Sequence, residues 1–508
     1  MADNANIRKE YGDWQTKPEL ALSVCQYIKS KGIRPQIIIE PTCGKGAFVI
    51  AALKTFDTVE SIYGIEINQT YIDEAWRKIK EFEQEHPTPR TNIELFCDNI
   101  FDFDFSKIKA KCANKNILIL GNPPWVTNSE LGTINGENLP QKGNFRKQKG
   151  IDSITGKSNF DIAENITTLI IDHFKTENAQ IALLLKNSVI KNIVRNAQKD
   201  KINLTEIEQL NINAKKEFDA DVAAALLFGE ITANNQSSSC TVFDFYKKTF
   251  IKKYGWTNEH FISDISAYQK TSFLDGKSSI EWRSGIKHDC SNVMELTYNG
   301  TQYTNKLNEI ADIEDDFVYP LIKSSDIKNE TINKTQKFIV LTQKHTSEDT
   351  ENLKNNAPKT YQYLNNHIVY FKKRGSRIYQ GRPDFCIFGV GKYSFSEHKV
   401  VVSGLYKTTF FSIASKIDGK IPMLDDTCYS IGFDRYDFAV ITQHILNSPL
   451  VQTFIKAITF YDAKRVITKD ILMRINLLEA TKYFTHKDFN VSEQTYLDYT
   501  KMLESKTF

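Results

Sequence analysis

The chain has 508 residues, of which 41% are hydrophobic, and its formal net charge is only +3. This length suits two or three domains with large cores, and the small net charge excludes a polycation that binds nucleic acid through its whole surface. No apolar run approaches about 18 residues and the N-terminus lacks a signal-peptide pattern, so we expect a cytoplasmic protein without membrane spans. The eight cysteines include no Cys-x-x-Cys pair, so we expect reduced thiols and no metal site.

The first predicted strand leads into a glycine-containing turn. An apolar run at residues 37–39 is followed by Glu40, then by the turn, then by a helix predicted from about Ala47. The turn itself reads Pro41, Thr42, Cys43, Gly44, Lys45 and Gly46. Glycines let the backbone approach a bound ligand closely, but the third glycine of the dinucleotide fingerprint is missing. The turn alone is therefore a weak signal.

Two more acidic residues follow predicted strands. A second strand within residues 61–68 ends in Glu66, which lies 26 residues after Glu40 (66 − 40); this spacing suits a carboxylate that binds ribose hydroxyls. Asp98 follows a third apolar stretch, and its carboxylate could accept a hydrogen bond from an adenine amino group. Each acid alone would usually be a solvated surface carboxylate, but three in order at strand ends favour one binding site.

The tetrapeptide Asn122-Pro123-Pro124-Trp125 follows an apolar run at residues 117–121. That run predicts a buried parallel strand, so the tetrapeptide lies at a carboxyl end, where open α/β sheets bind their ligands. The Asn122 side-chain oxygen and the Pro123 carbonyl can both accept hydrogen bonds from one NH2 group, while the prolines stiffen the backbone. Trp125 offers a flat face on which a planar base can stack. The alternative is a Pro-Pro turn with Trp125 in the core, and the upstream glycine turn makes it less attractive.

In their order, the glycine turn, the two later acids and Asn-Pro-Pro-Trp resemble the S-adenosylmethionine-dependent DNA amino-methyltransferases. Residues 11–19 resemble the cofactor-side motif that precedes the glycine turn in the gamma group, the TaqI-like adenine-N6 enzymes. The resemblance implies a Rossmann-like, doubly wound α/β sheet with S-adenosylmethionine at its carboxyl edge. The cofactor-binding residues that it implies are Thr16, Glu40, Pro41, Thr42, Cys43, Gly44, Gly46, Glu66, Ile67, Asp98, Asn99 and Asn122. Asn99 and Lys45 depart from the pattern, since relatives often carry Phe after the aspartate, and a charge inside the turn is unusual.

The same resemblance assigns a set of residues to catalysis: Asn122, Pro123, Pro124, Trp125 and Phe218. In the family, an aromatic residue before a late strand stacks on the target base, and Phe218 before the predicted strand at residues 222–228 matches it. A core phenylalanine is the alternative. Residues 157–161 lie where a further substrate-side motif begins. The implied reaction is direct methyl transfer to N6 of an adenine flipped out of duplex DNA and sandwiched by Trp125 and Phe218.

The chain is expected to contain two domains joined near residues 233–239, a polar stretch rich in Asn and Ser. Residues 1–235 form the predicted catalytic domain, and residues 240–508 the predicted mixed α/β target-recognition domain. Residues 318–327 and 388–407 resemble parts of such recognition domains, and residues 438–458 have helical spacing. Residues 127–157 are predicted to form a long polar loop that closes over DNA.

Basic residues are concentrated between Thr331 and Lys420, with 15 Lys and Arg against 6 Asp and Glu. The densest cluster contains Lys372, Lys373, Arg374 and Arg377. Aromatic residues are interleaved with these cations, a pattern that is typical of phosphate and base contacts. A solvated basic face is the alternative, but beside an adenine-methylating site the DNA interpretation is favoured.

The sequence leaves other functions open. The same fold methylates cytosine N4, although those enzymes more often carry Ser-Pro-Pro-aromatic. RNA and protein-glutamine methyltransferases share Asn-Pro-Pro-aromatic but seldom carry a second half of this length. A catalytically silent DNA-recognition subunit is disfavoured by the intact Asn122, Gly44 and Gly46. We expect a monomeric, nucleoid-associated protein that binds double-stranded DNA, and a separate cognate restriction endonuclease is left open as a partner.

Overall fold

The computed structural model describes residues 14–86, 91–126 and 161–506, and the chain divides into two compact units, Met1–Ile265 and Ser266–Phe508. Each unit has its own β-sheets. Three sequence predictions lie outside the described residues: residues 11–13 of the cofactor-side motif, the long loop at 127–157, and residues 157–160 of the substrate-side segment.

Alternating strands and helices build the first unit. Its strands are β1 (Ile37–Glu40), β2 (Ser61–Glu66), β3 (Asn92–Cys97), β4 (Ile117–Gly121), β5 (Ala179–Lys186), β6 (Leu204–Ile212), β7 (Ala224–Ile231), β8 (Ser239–Asp244), β9 (Phe250–Thr257) and β10 (His260–Ile262). Its helices are α1 (Pro18–Ser30), α2 (Ala47–Thr55), α3 (Gln69–Glu85), α4 (Ser106–Cys112), α5 (Ile162–Phe174), α6 (Asn187–Asn196) and α7 (Ala214–Phe218). Within the described residues, these strands form one sheet in the order β10-β9-β8-β6-β7-β5-β4-β1-β2-β3.

The direction of the winding reverses beside β1, which is parallel to β2 on one side and to β4 on the other. The chain first proceeds outward through β2 to β3, then returns to the other side of β1 with β4 and β5, all in parallel. Farther out, β7 and β9 run antiparallel to their neighbours. A switch point of this kind leaves a crevice at the carboxyl ends of the strands. The predicted doubly wound α/β fold is therefore confirmed.

The glycine turn connects β1 to α2. Both β1 and β4 are completely buried, as expected of apolar parallel strands covered on two faces. Helix α2 begins at Ala47, as predicted. Gly44 and Gly46 have φ values of +49° and +75°, a left-handed conformation that residues with a Cβ rarely adopt. A Cβ at Gly46 would also lie 3.0 Å from the Cβ of Ala75, so the turn packs closely against α3.

The second unit is mixed α/β. Its strands are β11 (Arg283–Ser284), β12 (Glu295–Tyr298), β13 (Tyr303–Asn305), β14 (Val318–Ile322), β15 (Thr331–Ile332), β16 (Lys337–Val340), β17 (His398–Ser403), β18 (Phe411–Ala414), β19 (Met423–Leu424) and β20 (Cys428–Phe433). Its helices are α8 (Ile265–Thr271), α9 (Ser291–Met294), α10 (Leu353–Asn356), α11 (Pro358–Asn366), α12 (Ile368–Lys372), α13 (Tyr436–Asn447), α14 (Pro449–Ile458), α15 (Lys469–Met473), α16 (Leu477–Thr481) and α17 (Glu493–Ser505). In the described residues, its sheets have the orders β11-β20-β17-β18-β15 and β13-β12-β16-β14-β19. One apolar core joins strand residues such as Val318 and Ile339 to Leu364 and Phe371 of the helices.

The division between the units falls later than the sequence suggested. The predicted linker at residues 233–239 connects β7 to β8, and both strands belong to the same sheet. The first unit continues to Ile265, because β8, β9 and β10 extend that sheet past residue 235. The polar composition of residues 233–239 indicated a surface connection. It could not show that β8, which follows this connection, pairs with β6 in the same sheet. The helical spacing at 438–458 corresponds to two helices, since Pro449 begins α14 after α13 ends at Asn447.

Candidate active site

A cavity of about 870 Å³ lies at the carboxyl ends of β1, β2, β3 and β4. The predicted site residues that line it are Thr16, Glu40, Pro41, Thr42, Cys43, Gly44, Glu66, Ile67, Asp98, Asn99, Asn122 and Pro124. Gly46, Pro123, Trp125 and Phe218 do not line it, although the first three adjoin residues that do. The ends of four parallel strands therefore bring motifs that are distant in sequence to one place.

Glu66 holds the glycine turn in place. Its Oε2 accepts a hydrogen bond from the N–H of Gly44 at 2.9 Å, and its Oε1 accepts one from the N–H of Asn68 at 2.9 Å. The N–H of Cys43 donates to the carbonyl of Ile65 at 2.8 Å, which further joins the turn to β2. A carboxylate can accept several hydrogen bonds at once, so an acid at this place suits ligand hydroxyls. Its role as a ribose ligand stays a prediction.

Glu40 is a buried carboxylate in the cavity wall. It is 3% exposed, and its Oε2 has no hydrogen-bond partner among the described residues. Burial, followed by the nearby charge of Glu66, holds the pKa of Glu40 well above its usual range. The Oγ1 of Thr42 is likewise buried without a partner in that part of the chain. Buried polar atoms are usually hydrogen-bonded, so two such oxygens in one cavity wall fit a polar ligand, and the neighbouring carboxyls of Glu40 and Glu66 favour a cationic one.

Lys45 does not leave an unpaired charge in the turn. Its Nζ lies 2.8 Å from Oε2 of Glu74 on α3 and 5.2 Å from the centre of the Tyr71 ring. Lys78 on the same helix lies 3.2 Å from Glu74 and donates to the Lys45 carbonyl at 3.2 Å. The side chain of Lys45 therefore turns onto α3, where Glu74 balances its charge.

Asn122 presents a hydrogen-bond acceptor at the cavity. Its Nδ2 donates to the carbonyl of Trp14 at 2.8 Å and to Oγ1 of Thr16 at 3.2 Å. Because the Trp14 carbonyl can only accept, the amide NH2 must face it. The opposite atom, Oδ1, is buried and has no partner within the described ranges. The sequence indicated Thr16 but missed Trp14, which acts through a backbone carbonyl that no side-chain pattern reveals.

Trp125 and Phe218 contact each other directly. Their ring centres are 5.0 Å apart with an interplanar angle of 69°, and the residues are only 4% and 7% exposed. The indole Nε1 of Trp125 donates to the carbonyl of Leu184 at 3.1 Å. A base sandwiched by two rings needs them parallel and about 7 Å apart, since each stacked layer takes about 3.5 Å. The expected sandwich geometry is therefore not present in this structure, which brings the two rings together edge to face.

A local turn after Asp98 places an aromatic side chain that the sequence analysis missed. The Oδ1 of Asn99 accepts a hydrogen bond from the N–H of Phe101 at 3.2 Å, and its Nδ2 donates to Asp102 at 3.0 Å. This turn brings Phe101 to the cavity wall. The cavity wall therefore contains an aromatic side chain three residues after Asp98.

The basic cluster of the second unit is not one free surface. Arg374 donates to four backbone carbonyls, and its guanidinium carbon lies 3.7 Å from the centre of the Tyr379 ring. The acceptors are the carbonyls of His288, Phe371, Asp384 and Cys386. These contacts show that Arg374 stabilises the fold of the second unit, and its predicted contact with DNA stays a prediction. Lys372, Lys373 and Arg377 are exposed, and their DNA contacts stay a prediction.

Three further features concern the described residues as a whole. No group of three or more His, Cys, Asp or Glu side chains in residues 14–86, 91–126 and 161–506 is arranged to hold a metal ion. No helix in the same ranges is long and apolar enough to cross a membrane. All eight cysteines are free thiols, as predicted.

Comparison with known proteins shows the family to which the chain belongs. No protein-family model matches the chain. The chain is 41% identical over 476 residues to the Type II methyltransferase M.NspV of Nostoc sp., an alignment that covers 93% of this chain and 98% of that protein. Its fold is similar to that of the Type IIL restriction–modification enzyme MmeI, solved in complex with DNA, with a TM-score of 0.52 and 11% identity over 96% of this chain and 72% of that one. The chain therefore belongs to the Type II methyltransferases of restriction–modification systems, with S-adenosylmethionine as its cofactor.

Proposed function

We propose that this enzyme methylates N6 of adenine in double-stranded DNA, as a gamma-group (TaqI-like) methyltransferase. The observation that carries the proposal is the Asn122 amide. Both of its N–H groups have protein acceptors, and its buried Oδ1 has none among the described residues. An amide held in this way can only accept, which suits a substrate that offers an exocyclic NH2 group.

The cavity residues fit S-adenosylmethionine. The buried carboxyl of Glu40 beside Glu66 favours a cationic ligand, the Glu66 carboxylate suits ribose hydroxyls, and Asp98 suits an adenine amino group. Phe101 adds an aromatic wall beside Asp98. When bound, the cofactor supplies an electrophilic methyl group.

The protein's part in the reaction is to position and activate the amino group. The lone pair of an adenine amino nitrogen is delocalised into the ring, which makes the nitrogen a poor nucleophile. Acceptors at Asn122 Oδ1 and the Pro123 carbonyl draw the two N–H bonds toward a tetrahedral arrangement and localise the lone pair. Holding the nitrogen in line with the methyl group supplies much of the acceleration. The methylated nitrogen then loses a proton to water.

A base inside duplex DNA must be flipped out to reach Asn122. Because Trp125 and Phe218 contact each other, we propose that the rings separate when the base enters. Trp125 is anchored through its indole N–H to the Leu184 carbonyl, so Phe218 is the ring that moves. It ends the short helix α7 and is followed by Asp219 with φ +57°, a turn that can reorient it. We further propose that the second unit is the target-recognition domain, with Lys372, Lys373 and Arg377 contacting phosphates.

The proposal is tested by identifying the methylated base. The purified protein is incubated with duplex DNA of mixed sequence and labelled S-adenosylmethionine, and the DNA is then digested to nucleosides and separated by mass spectrometry. N6-methyladenine is the expected product. A product that contains only N4-methylcytosine would instead assign the enzyme to the cytosine-N4 group, and a failure to label DNA would refute DNA as the substrate.

A further inference from the structure

The catalytic amide is held by a segment that lies more than a hundred residues earlier in the chain. The Trp14 carbonyl and the Thr16 hydroxyl accept the two hydrogen bonds of Asn122 Nδ2 at 2.8 and 3.2 Å. Thr16 lines the cofactor cavity as well. A hydroxyl that accepts one hydrogen bond still carries its own hydrogen, so Thr16 can bond to Asn122 and to a ligand at the same time.

The same segment reaches the glycine turn. The Oε1 of Gln15 accepts a hydrogen bond from the N–H of Lys45 at 3.4 Å. A Cβ built on Gly44 would lie 3.0 Å from that oxygen, so the Gln15 side chain packs directly on the turn. Residues 14–16 therefore contact both the glycine turn and the Asn122 amide. In the sequence, these two features are separated by β2, β3 and β4.

We infer that residues 14–16 are a positioning segment. They fix the orientation of the Asn122 amide and make it depend on the conformation of the glycine turn. This inference rests on the proposed methylation of an exocyclic amino group. Rotation about the terminal bond of asparagine is broad and nearly two-fold. An amide turned the other way would present N–H donors to a substrate that is itself a donor. The contacts to Trp14 and Thr16 exclude that orientation.

The two hydrogen bonds also improve the acceptor. Donation from both N–H groups polarises an amide and strengthens the hydrogen bonds that its oxygen accepts. Because residues 14–16 contact both the glycine turn and the amide, a cofactor that orders the turn and Thr16 should also order Asn122. The coupling should be reciprocal. The positioning segment thus makes acceptance of the amino group depend on cofactor binding.

The test compares Thr16→Val, which removes the acceptor with little change in shape, with Thr16→Ser, which keeps it. Methyl transfer to DNA is measured in single turnovers with saturating cofactor and is scored for any base, so that the result does not depend on adenine specificity. Thr16→Val should lower the transfer rate about 10- to 100-fold, since a hydrogen bond to a positioned polar group is removed. Thr16→Ser should restore it to within about threefold.

Thr58→Val is the matched control. The Thr58 hydroxyl donates to the Pro35 carbonyl at 2.8 Å, and Thr58 does not line the cavity, so the control should transfer at the wild-type rate. A Thr16→Val enzyme with an unchanged rate at saturating cofactor and only a raised KM would overturn the inference, because Thr16 would then be a cofactor ligand alone.

A second measurement, solvent exchange of the Asn122 side-chain NH2 group, does not depend on methyl transfer. In protein labelled with 15N-asparagine, the Asn122 side-chain NH2 signals are assigned by their absence from Asn122→Ala. Their exchange with solvent should be slow in the wild type, slower still with S-adenosylhomocysteine, and at least severalfold faster in Thr16→Val. Equal exchange in wild type and Thr16→Val would count against positioning. If the wild type labels no DNA, the proposed function fails, while this readout still decides whether residues 14–16 hold the amide.

Discussion

Buried polar atoms without a described partner occur in both units, but only in the first unit do several of them surround one cavity among the described residues. At the carboxyl edge of the first sheet, oxygens of Glu40, Thr42 and Asn122 line one cavity and have no partner among the described residues. In the second unit, Arg374 is bonded to four carbonyls, and Glu295 is bonded to Lys306 and Lys323 at 2.7 and 2.6 Å. Charged groups that are hydrogen-bonded or ion-paired within the unit stabilise its fold. Buried oxygens that lack a hydrogen-bond partner and surround a cavity suit a bound ligand. The predicted cofactor residues therefore meet at one cavity, whereas part of the predicted basic cluster takes part in hydrogen bonds that stabilise the second unit.

The largest effect is expected at Asn122. Asn122→Ala should lower methyl transfer on the order of 100- to 1000-fold, because it removes a preorganised acceptor that acts on the amino group in the transition state. Specific DNA binding should be largely retained. Single-turnover transfer and DNA titrations measure the two effects. Asn92→Ala, at the exposed start of β3 and outside the cavity, is the control and should behave as wild type. Transfer that survives in Asn122→Ala would remove the amide from the chemistry.

Arg374→Ala should destabilise the second unit by about 2–4 kcal/mol, because four backbone carbonyls, three of them in partly buried contacts, lose a charged donor at once. Arg382→Ala, at an exposed arginine of the same region, should leave stability unchanged. Denaturant unfolding of both variants checks the contrast. If Arg374→Ala kept full stability and only weakened DNA binding, Arg374 would belong with the phosphate-binding residues after all.

Glu66→Ala should weaken S-adenosylmethionine binding by about 1–3 kcal/mol, since the carboxylate holds Gly44 and Asn68 and is the expected partner of ligand hydroxyls. Glu60→Ala is the matched control, because Glu60 is an exposed acid that pairs with Lys115 away from the cavity. Titration calorimetry compares the two affinities. Unchanged affinity in Glu66→Ala would place the ribose elsewhere.

Glu40 makes stability depend on pH in a direction that can be worked out. Burial and the charge of Glu66 raise its pKa in the folded state, so between the ordinary carboxyl value and the raised one the folded protein binds more protons than the unfolded chain. The free energy of unfolding of the cofactor-free protein should therefore fall as pH rises through that window. Glu40→Gln should flatten this dependence. Thermal melts from mildly acidic to mildly alkaline pH test it, and parallel curves for both proteins would show that the pKa of Glu40 is not perturbed.

The smallest effect concerns the exposed cations. Replacing Lys372, Lys373 and Arg377 together by Ala should leave stability and cofactor affinity unchanged. It should lower the salt dependence of DNA binding, with the slope falling by roughly 1 for each phosphate that the variant no longer binds. The control removes three other exposed lysines of the second unit, Lys482, Lys487 and Lys501. Equal slopes in both triple variants and the wild type would mean that the basic cluster is a solvated face.

Much of the first unit could be predicted because its signals are local. The apolar run that became β4 has the predicted bounds at residues 117–121, and α2 begins at Ala47 where the glycine turn ends. Each of these features depends on a few adjacent residues. The predicted break at residues 235–240 differs from the observed division after Ile265, because strand pairing across the chain extended the sheet through a polar connection.

The sequence by itself determined which chemical groups stand at the strand ends: two glutamates, an aspartate and the Asn-Pro-Pro-Trp corner, in an order that the parallel sheet then brings to one edge. Only the tertiary structure decided where those groups point. The Asn122 amide is oriented by the Trp14 carbonyl, which accepts a hydrogen bond from its NH2 group and leaves the oxygen without a partner among the described residues. The Arg374 guanidinium donates instead to backbone carbonyls at residues 288, 384 and 386. Hydrophobic periodicity and turn residues act over a few positions and can be read along the chain. Hydrogen-bond partners are chosen by packing between distant segments, and backbone carbonyls are the same in every residue.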